Sequence, residues 1–306
     1  MKILVTGGAG FIASQIADAY ITEGHNITIV DDLSTGFEEN VNPAANFVKQ
    51  SISDPGIVDL FKKEKFDLVN HHAAQIDVRK SVADPLFDAN TNILGTINLL
   101  QSCVKTGVEK VIFASTGGAI YGEQEYFPAD EAHPTSPVSP YGITKLTIEK
   151  YLYFYHLEHK LNYTILRYAN VYGPRQNPFV EAGVVAIFTN KLLGNEQPLI
   201  NGSGKQTRDY VFVDDVVKAN LLAVKDEQSD IYNVGTAIET NVNAIYNILN
   251  DTIGKGQEEK HGPAAPGEQQ RSVITSEKLY KKFNWKPATS IKEGLDKTVD
   301  YFREKF

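Results

Sequence analysis

"KILVTGGAGFIASQIADAY", residues 2–20, decides the fold. A short apolar, β-branched run enters a glycine-rich turn, and a helical apolar pattern follows at once. Gly7 permits a tight turn, and Gly10 lets backbone N–H groups approach an anion at the helix N-terminus, where the dipole favours negative charge. Phe11 and Ile12 open that helix, and Ala13 stands where such turns often carry a third glycine, a small replacement that close packing tolerates. A second strand, "NITIV" (26–30), ends in Asp31, at the distance where a carboxylate accepts hydrogen bonds from an adenosine ribose. The same carboxylate would repel a 2′-phosphate, which favours NAD over NADP.

Further along, "NFVKQ" (46–50), "FDLVNHHA" (66–73), "KVIFAS" (110–115) and "NYTILRY" (162–168) alternate with amphipathic segments. Short, almost unbroken apolar strands alternating with helices imply βαβ units and a parallel sheet covered on both faces. The expected class is therefore α/β, a Rossmann-type doubly wound sheet over residues 1–173, with strand and helix returns from about 211–236. Residues 174–306 are expected to form mainly a smaller C-terminal α/β domain that binds substrate. Within it, 174–210 reads as loops and short elements, helices are expected near 214–225, 241–253, 276–283 and 291–305, and "GKGQEEKHGPAAPGEQQ" (254–270) reads as a mobile loop.

Composition narrows the partners. The chain has 306 residues, and its 30 basic against 38 acidic residues, a formal charge of -8 with no long basic run, leave no electrostatic footprint for nucleic acid. "MKILVTGG" runs straight into the glycine turn with no apolar stretch long enough for a signal peptide or membrane span, and Cys103 is the only cysteine. A cytoplasmic protein without disulfides or a cysteine zinc site is expected. His156 and His159 at i, i+3 lack an evident third ligand and His71-His72 ends a strand, so no metal is expected.

"YGITK" (141–145) follows a Pro-rich loop and opens a long helix. Positions i and i+4 lie one above the other, so the Lys145 ammonium can sit beside the Tyr141 phenol. A free phenol has a pKa of about 10, and a neighbouring cation favours its phenolate, which would make Tyr141 a usable base. Alone, the spacing also fits an ordinary pair on a helix surface.

Taken together, "TGGAGFIA" (6–13), "VDDLSTG" (30–36), "HHAAQIDVRKSV" (71–82), "NILGT" (92–96), "FASTGGAIYG" (113–122), "YGITK" (141–145), "RYANVYGPRQ" (167–176), "GSGKQTRDYVFVDDV" (202–216) and "YNVGT" (232–236) span the chain. On these motifs it resembles the extended short-chain dehydrogenase/reductases of the sugar-nucleotide epimerase/dehydratase group, and within it the UDP-hexose 4-epimerases. The resemblance implies an NAD site lined by Gly7, Gly10, Phe11, Ile12, Asp31, Asp32, Ser34, Thr35, Gly36, Ile52, Ala73, Ala74, Gln75, Asn92, Ser115, Tyr141, Lys145 and Tyr168. Ser51-Ile52 replaces the Asp-Ile that many relatives carry at the adenine.

It further implies that Tyr141, helped by Lys145 and a relay hydroxyl, removes a proton from the sugar while C4 loses hydride to NAD. The ketopyranose would then take hydride back on its other face. Many relatives place the relay hydroxyl at the position of Gly117, so the role passes here to Thr116. Related 4,6-dehydratases carry Asp-Glu after that threonine; Gly117 and Gly118 have no proton to give. For the UDP-sugar the implied contacts are Thr116, Asn170, Val185, Asn201, Arg208, Glu268, Arg271 and Ser272. Ala265 stands where relatives often have an arginine, so either Arg271 substitutes or diphosphate binding is weaker. Ser272 aligns with the residue walling the pocket near C2, and its small size would admit an N-acetyl group.

A homodimer through a four-helix bundle from the helices near 86–106 and 142–160 is also implied. A UDP-glucuronate 4-epimerase or decarboxylase, or a non-catalytic NAD-binding sensor, are the competing readings. The first would want an extra cation facing the C6 carboxylate.

Overall fold

The computed structural model describes residues 1–180, 183–264 and 269–305. From the N-terminus the chain forms β1 (Lys2–Thr6), α1 (Phe11–Thr22), β2 (Asn26–Asp31), β3 (Asn46–Lys49), α2 (Ile57–Glu64), β4 (Leu68–His71), α3 (Val78–Ala83) and α4 (Pro85–Ala89). A π-helical turn (Asn90–Leu94) leads into α5 (Gly95–Thr106), followed by β5 (Lys110–Thr116), α6 (Pro140–His159), β6 (Asn162–Tyr168), β7 (Asn170–Tyr172) and α7 (Val184–Leu193). Then come β8 (Ile200–Asn201), β9 (Thr207–Phe212), α8 (Val213–Val224), β10 (Asp230–Val234), β11 (Glu239–Asn241), α9 (Val242–Ile253), β12 (His261–Gly262), β13 (Arg271–Ser272), α10 (Glu277–Phe283) and α11 (Ile291–Arg303).

The described chain divides into two units: 1–120 with 137–167 and 217–232, and 121–136 with 168–216 and the described residues from 233 onward. In the first, a seven-stranded sheet runs in the order β10-β6-β5-β4-β1-β2-β3. β1 is parallel to β2 and β4, β2 to β3, and β4 to β5. Strand order reverses beside β1, and a ligand crevice is expected at the carboxyl end of the strands there. Leu4, Val69, Val111, Phe113 and Ile165 of the strands are buried with Leu99, Leu100 and Cys103 of α5 and Ile148 and Leu152 of α6. The doubly wound α/β class expected from the sequence is what the chain adopts.

In the second unit, β9 is parallel to β7 and β13 and antiparallel to β11. Helices α7, α9 and α11 pack together beside it over an aromatic core that includes Tyr172, Phe188, Phe212 and Tyr246. The stretch 121–136 joins this unit although it lies early in the chain, because Asn233 donates to the Ala129 carbonyl at 3.2 Å and Val273 to Gln124 Oε1 at 3.1 Å.

Three local expectations change. The loops expected over 174–210 contain α7, whose sequence VVAIFTNKLL is apolar on most sides and so shows no amphipathic period. The helix expected near 86–106 is interrupted by the π turn at Asn90–Leu94. The stretch 254–270 is anchored rather than free over its first part: β12 pairs with β8, and Gln257 donates its N–H to Asn250 Oδ1 at 3.1 Å. Among the described residues no helix is long and apolar enough to cross a membrane, and no cluster of three or more His, Cys, Asp or Glu residues could hold a metal ion.

Candidate active site

The glycine turn after β1 is held from both sides. Gly7 has φ +70°, and a Cβ there would stand 2.7 Å from the Ala73 amide nitrogen. Its N–H donates to the Val30 carbonyl at 2.8 Å, and Gly10 N–H donates to the Gly7 carbonyl at 3.0 Å. Gly10 is the N-cap of α1 and no side chain caps the helix. The first-turn N–H groups, with Phe11 and Ile12 among them, therefore remain available to an anion. Gly36 packs against the turn so closely that a Cβ would lie 2.9 Å from Ala9.

Asp31 lies at the end of β2, 8% exposed, and accepts the Ala9 N–H at 3.0 Å on Oδ2 and the Leu33 N–H at 2.8 Å on Oδ1. Burial raises its pKa, while those two backbone hydrogen bonds oppose the shift. Each oxygen keeps a further lone pair for a ribose hydroxyl. Beside it, Asp32 accepts the Ser34 N–H at 2.9 Å, and Ser34 and Thr35 are exposed. A cradle that any Cβ would fill, an uncapped helix start and this carboxylate fit a dinucleotide without a 2′-phosphate.

Opposite the turn, Thr6 Oγ1 accepts the Ala73 N–H at 3.2 Å, and Ile52 is buried beneath Gly95. Gln75 and Asn92 are tied to one another: Gln75 N–H donates to Asn92 Oδ1 at 2.8 Å, and Asn92 Nδ2 donates to the Gln75 carbonyl at 3.0 Å. Tyr168, 5% exposed, falls in the second unit, and Ala74 is half-buried in the first.

Helix α6 begins where it does because Ser139 caps it, accepting the Gly142 N–H at 3.2 Å, and Pro140 is pre-set for the first turn. Only a glycine fits at 142: a Cβ would stand 2.7 Å from the Ala119 carbonyl oxygen, so the helix start lies against the loop that follows β5. Tyr141 N–H donates to Ser81 Oγ at 3.2 Å. Lys145 is 3% exposed, its Nζ donates to the Ala114 carbonyl at 2.9 Å, and it stands 4.8 Å from the Phe113 ring centre and 5.9 Å from that of Tyr141. The i, i+4 pair is thus a buried cation beside a phenol and not a solvated surface pair.

The electrostatics differ from the sequence-based expectation. Lys145 is expected to draw the Tyr141 pKa down, yet in the chain alone the phenol is pushed above its ordinary value by burial and then by the Asp88 carboxylate. Burial also lowers the Lys145 ammonium to about 8, against the pull of Asp88 and Glu149. Removing a phenol from water penalises its charged form more than the one cation repays.

The two hydroxyls at the end of β5 divide their tasks. Ser115, expected to touch the cofactor, donates to Glu149 Oε1 at 2.6 Å, and Arg167 forks onto the same carboxylate with Nε at 3.0 Å and Nη2 at 2.6 Å. Successive strand side chains point to opposite faces. Thr116 accepts the Ala119 N–H at 3.2 Å and keeps its own O–H for donation.

In the second unit a cavity of about 550 Å³ gathers Asn170, Val185, Asn201 and Arg208, all expected from the sequence. Lys191 of α7, which no motif marks, joins them with Gln176, Gln206 and Tyr210. Two cations and no carboxylate among the described lining residues suit a phosphate-bearing ligand. Arg271 does not line this cavity: it forks onto Glu239 at 3.0 and 2.6 Å and stacks 3.7 Å from the Phe127 ring centre. Of the two alternatives raised by Ala265, substitution by Arg271 would require it to leave that pair. Ser272 is 3% exposed and lies in register with Arg208 across β13 and β9. Glu268 and Ala265 lie outside the described residues.

The profile of the NAD dependent epimerase/dehydratase family matches residues 3–235. A putative UDP-glucose 4-epimerase of Methanocaldococcus jannaschii is 44% identical over 301 residues, covering 98% of each chain. Among solved structures, the UDP-glucose 4-epimerase of Thermotoga maritima with UDP-glucose is similar with a TM-score of 0.98 and 47% identity, covering 100% of this chain and 99% of the other. The Thermus thermophilus UDP-glucose 4-epimerase in complex with NAD gives 0.95 and 40%, covering all of both chains.

Proposed function

The chain belongs to the NAD-dependent epimerase/dehydratase family, and from that premise we propose that it is an NAD-dependent isomerase, a UDP-hexose 4-epimerase. The observation that carries this is the company of the Tyr141–Lys145 pair. It shares a unit with a dinucleotide cradle, and Thr116 at the end of β5, whose hydroxyl accepts the Ala119 N–H, is followed by Gly117 and Gly118, which offer no acid or base for water loss.

Bound NAD supplies a reversible hydride acceptor and a positive ring charge that favours the phenolate. Tyr141, as a phenolate steadied by the Lys145 ammonium, takes the proton of the C4 hydroxyl, with Thr116 as the relay, and becomes the neutral phenol. The same groups return the proton after the ketone has presented its opposite face, so C4 is inverted with no net redox change. In a UDP-sugar the charged diphosphate and the reacting carbon are separate parts of the molecule. Arg208 and Lys191, the cations lining the cavity of the second unit, suit the diphosphate. Purified protein incubated with UDP-glucose and with UDP-GlcNAc, with C4 inversion followed by NMR, tests this; inertness toward both would overturn it.

Ser272 supports acetamido sugars as substrates beside UDP-glucose and UDP-galactose, because at this position of the resembled motif a small side chain near C2 leaves room that a tyrosine would fill. Ser272→Tyr is expected to lower UDP-GlcNAc turnover about tenfold or more while sparing UDP-glucose. Equal loss on both sugars would remove the steric role.

The homodimer rests on exposed apolar side chains of the first unit: Leu86 and Leu94 around the π turn, and Tyr153, Phe154 and Leu157 on α6. Light scattering is expected to give twice the chain mass for the wild type and the single mass for Leu94→Glu/Leu157→Glu. A monomeric wild type would remove the bundle. A reducing cytoplasm is the compartment assigned, since Cys103 is the sole cysteine and is buried, with its thiol pKa raised by burial.

A further inference from the structure

Asp88 of α4, which no motif marks, is fully buried. Its Oδ1 accepts Gln75 Nε2 at 3.0 Å and Asn92 Nδ2 at 3.1 Å, while its Oδ2 is buried with no hydrogen-bond partner. The π turn places Asn92 four residues on, where its amide also donates to Thr144 Oγ1 at 3.2 Å, and that hydroxyl donates to the Tyr141 carbonyl at 2.9 Å. One carboxylate thus connects the loop after β4, the π turn and the first turn of α6. A buried carboxylate oxygen without a donor is costly and is retained where its charge has a use.

We propose that Asp88 is a positioning residue of the Tyr141–Lys145 pair: its buried carboxylate, bonded to Gln75 and Asn92, holds the start of α6 and sets the charge environment of the pair. No contact ion pair joins Asp88 to Lys145 among the described residues, so the charge acts through space. Burial lowers Lys145 to about 8, and Asp88 is the largest charge opposing that fall, ahead of Glu149. The same charge adds to burial in raising Tyr141. Losing it therefore moves both groups toward lower pKa.

The other charges around the pair cannot take its place. Glu149 is engaged by Arg167, and His71 and His72 are held neutral by burial, His72 at about 3. On α3, Arg79 and Lys80 are exposed and Arg79 pairs with Asp77. Cys103 of α5 is buried and thiol-bearing, Lys105 closes that helix, and Lys110 of β5 donates to the Ala223 and Asp226 carbonyls.

The kinetic part of the test rests on the epimerase reading, so a second readout needs no turnover. The Lys145 Nζ resonance, assigned by its loss in Lys145→Arg, should titrate near pH 8 in the wild type and about one pH unit lower in Asp88→Asn. In kcat/KM against pH, both limbs of the Asp88→Asn profile should move to lower pH, with kcat reduced about tenfold and KM little changed. Thr144→Val should lower kcat without moving either limb. If Asp88→Asn does not fold, Asp88→Ser fits the same space and is read the same way. An unmoved Lys145 titration overturns the proposal whatever the activity, whereas a wild type inert on UDP-hexoses overturns only the epimerase reading.

Discussion

Tyr141→Phe is expected to lower C4 inversion about a thousandfold while the protein stays folded and keeps its NAD. The substitution removes one oxygen and leaves the ring, the Tyr141 N–H on Ser81 and the Lys145 bond to the Ala114 carbonyl as they are. Among the described residues no hydrogen bond depends on the phenol, so a loss of rate in folded protein isolates the proton transfer. Lys145 is no substitute base, because its Nζ already donates to the Ala114 carbonyl and, at about 8, it is largely protonated at neutral pH. NMR of UDP-glucose and its C4 epimer reads the rate, and the absorbance of released cofactor reads occupancy. A variant within tenfold of wild type would remove Tyr141 from the base role.

The second large effect concerns stability. Arg167→Met is expected to destabilise the first unit by roughly 3–5 kcal/mol, because it strands the Glu149 carboxylate without its cation. The side chains are only 4% and 2% exposed, and the forked contact at 2.6 Å is reinforced by the Ser115 hydroxyl. Solvent cannot reach the stranded charge to repay its desolvation. Replacing both partners, Glu149→Leu with Arg167→Met, should restore most of the loss, since apolar packing tolerates what an unpaired ion does not. Thermal unfolding of the singles and the double completes the cycle, and a double as unstable as the Arg167→Met single would show that packing, not charge, governs the site.

These two sites stand back to back on one strand end. Ser115 donates to the Glu149 carboxylate of the ion pair, while Thr116, on the opposite face, accepts the Ala119 N–H. The alternation of a strand explains why adjacent hydroxyls carry unrelated duties.

The sheet, the glycine turn, the acidic end of β2 and the Tyr–Lys spacing are legible in the order of the residues. Each of these is written in neighbouring residues: a strand, turn and helix in succession, or two side chains one helical turn apart, are fixed by local backbone geometry. Tertiary structure alone decided the rest. The motif leaves Arg271 as one of two alternatives for the diphosphate, and the contacts it makes here, with Glu239 and Phe127 far from it in the chain, are set by the fold. Lys191 enters the cavity only because α7, apolar on most sides and hard to see in the sequence, folds against α9 and α11. Asp88 gains its meaning from Gln75, Asn92 and Tyr141, which three separate segments bring together. Burial and electrostatic neighbourhood depend on residues distant along the chain, so the charge on a buried group is a property of the packed core and not of the motif that contains it.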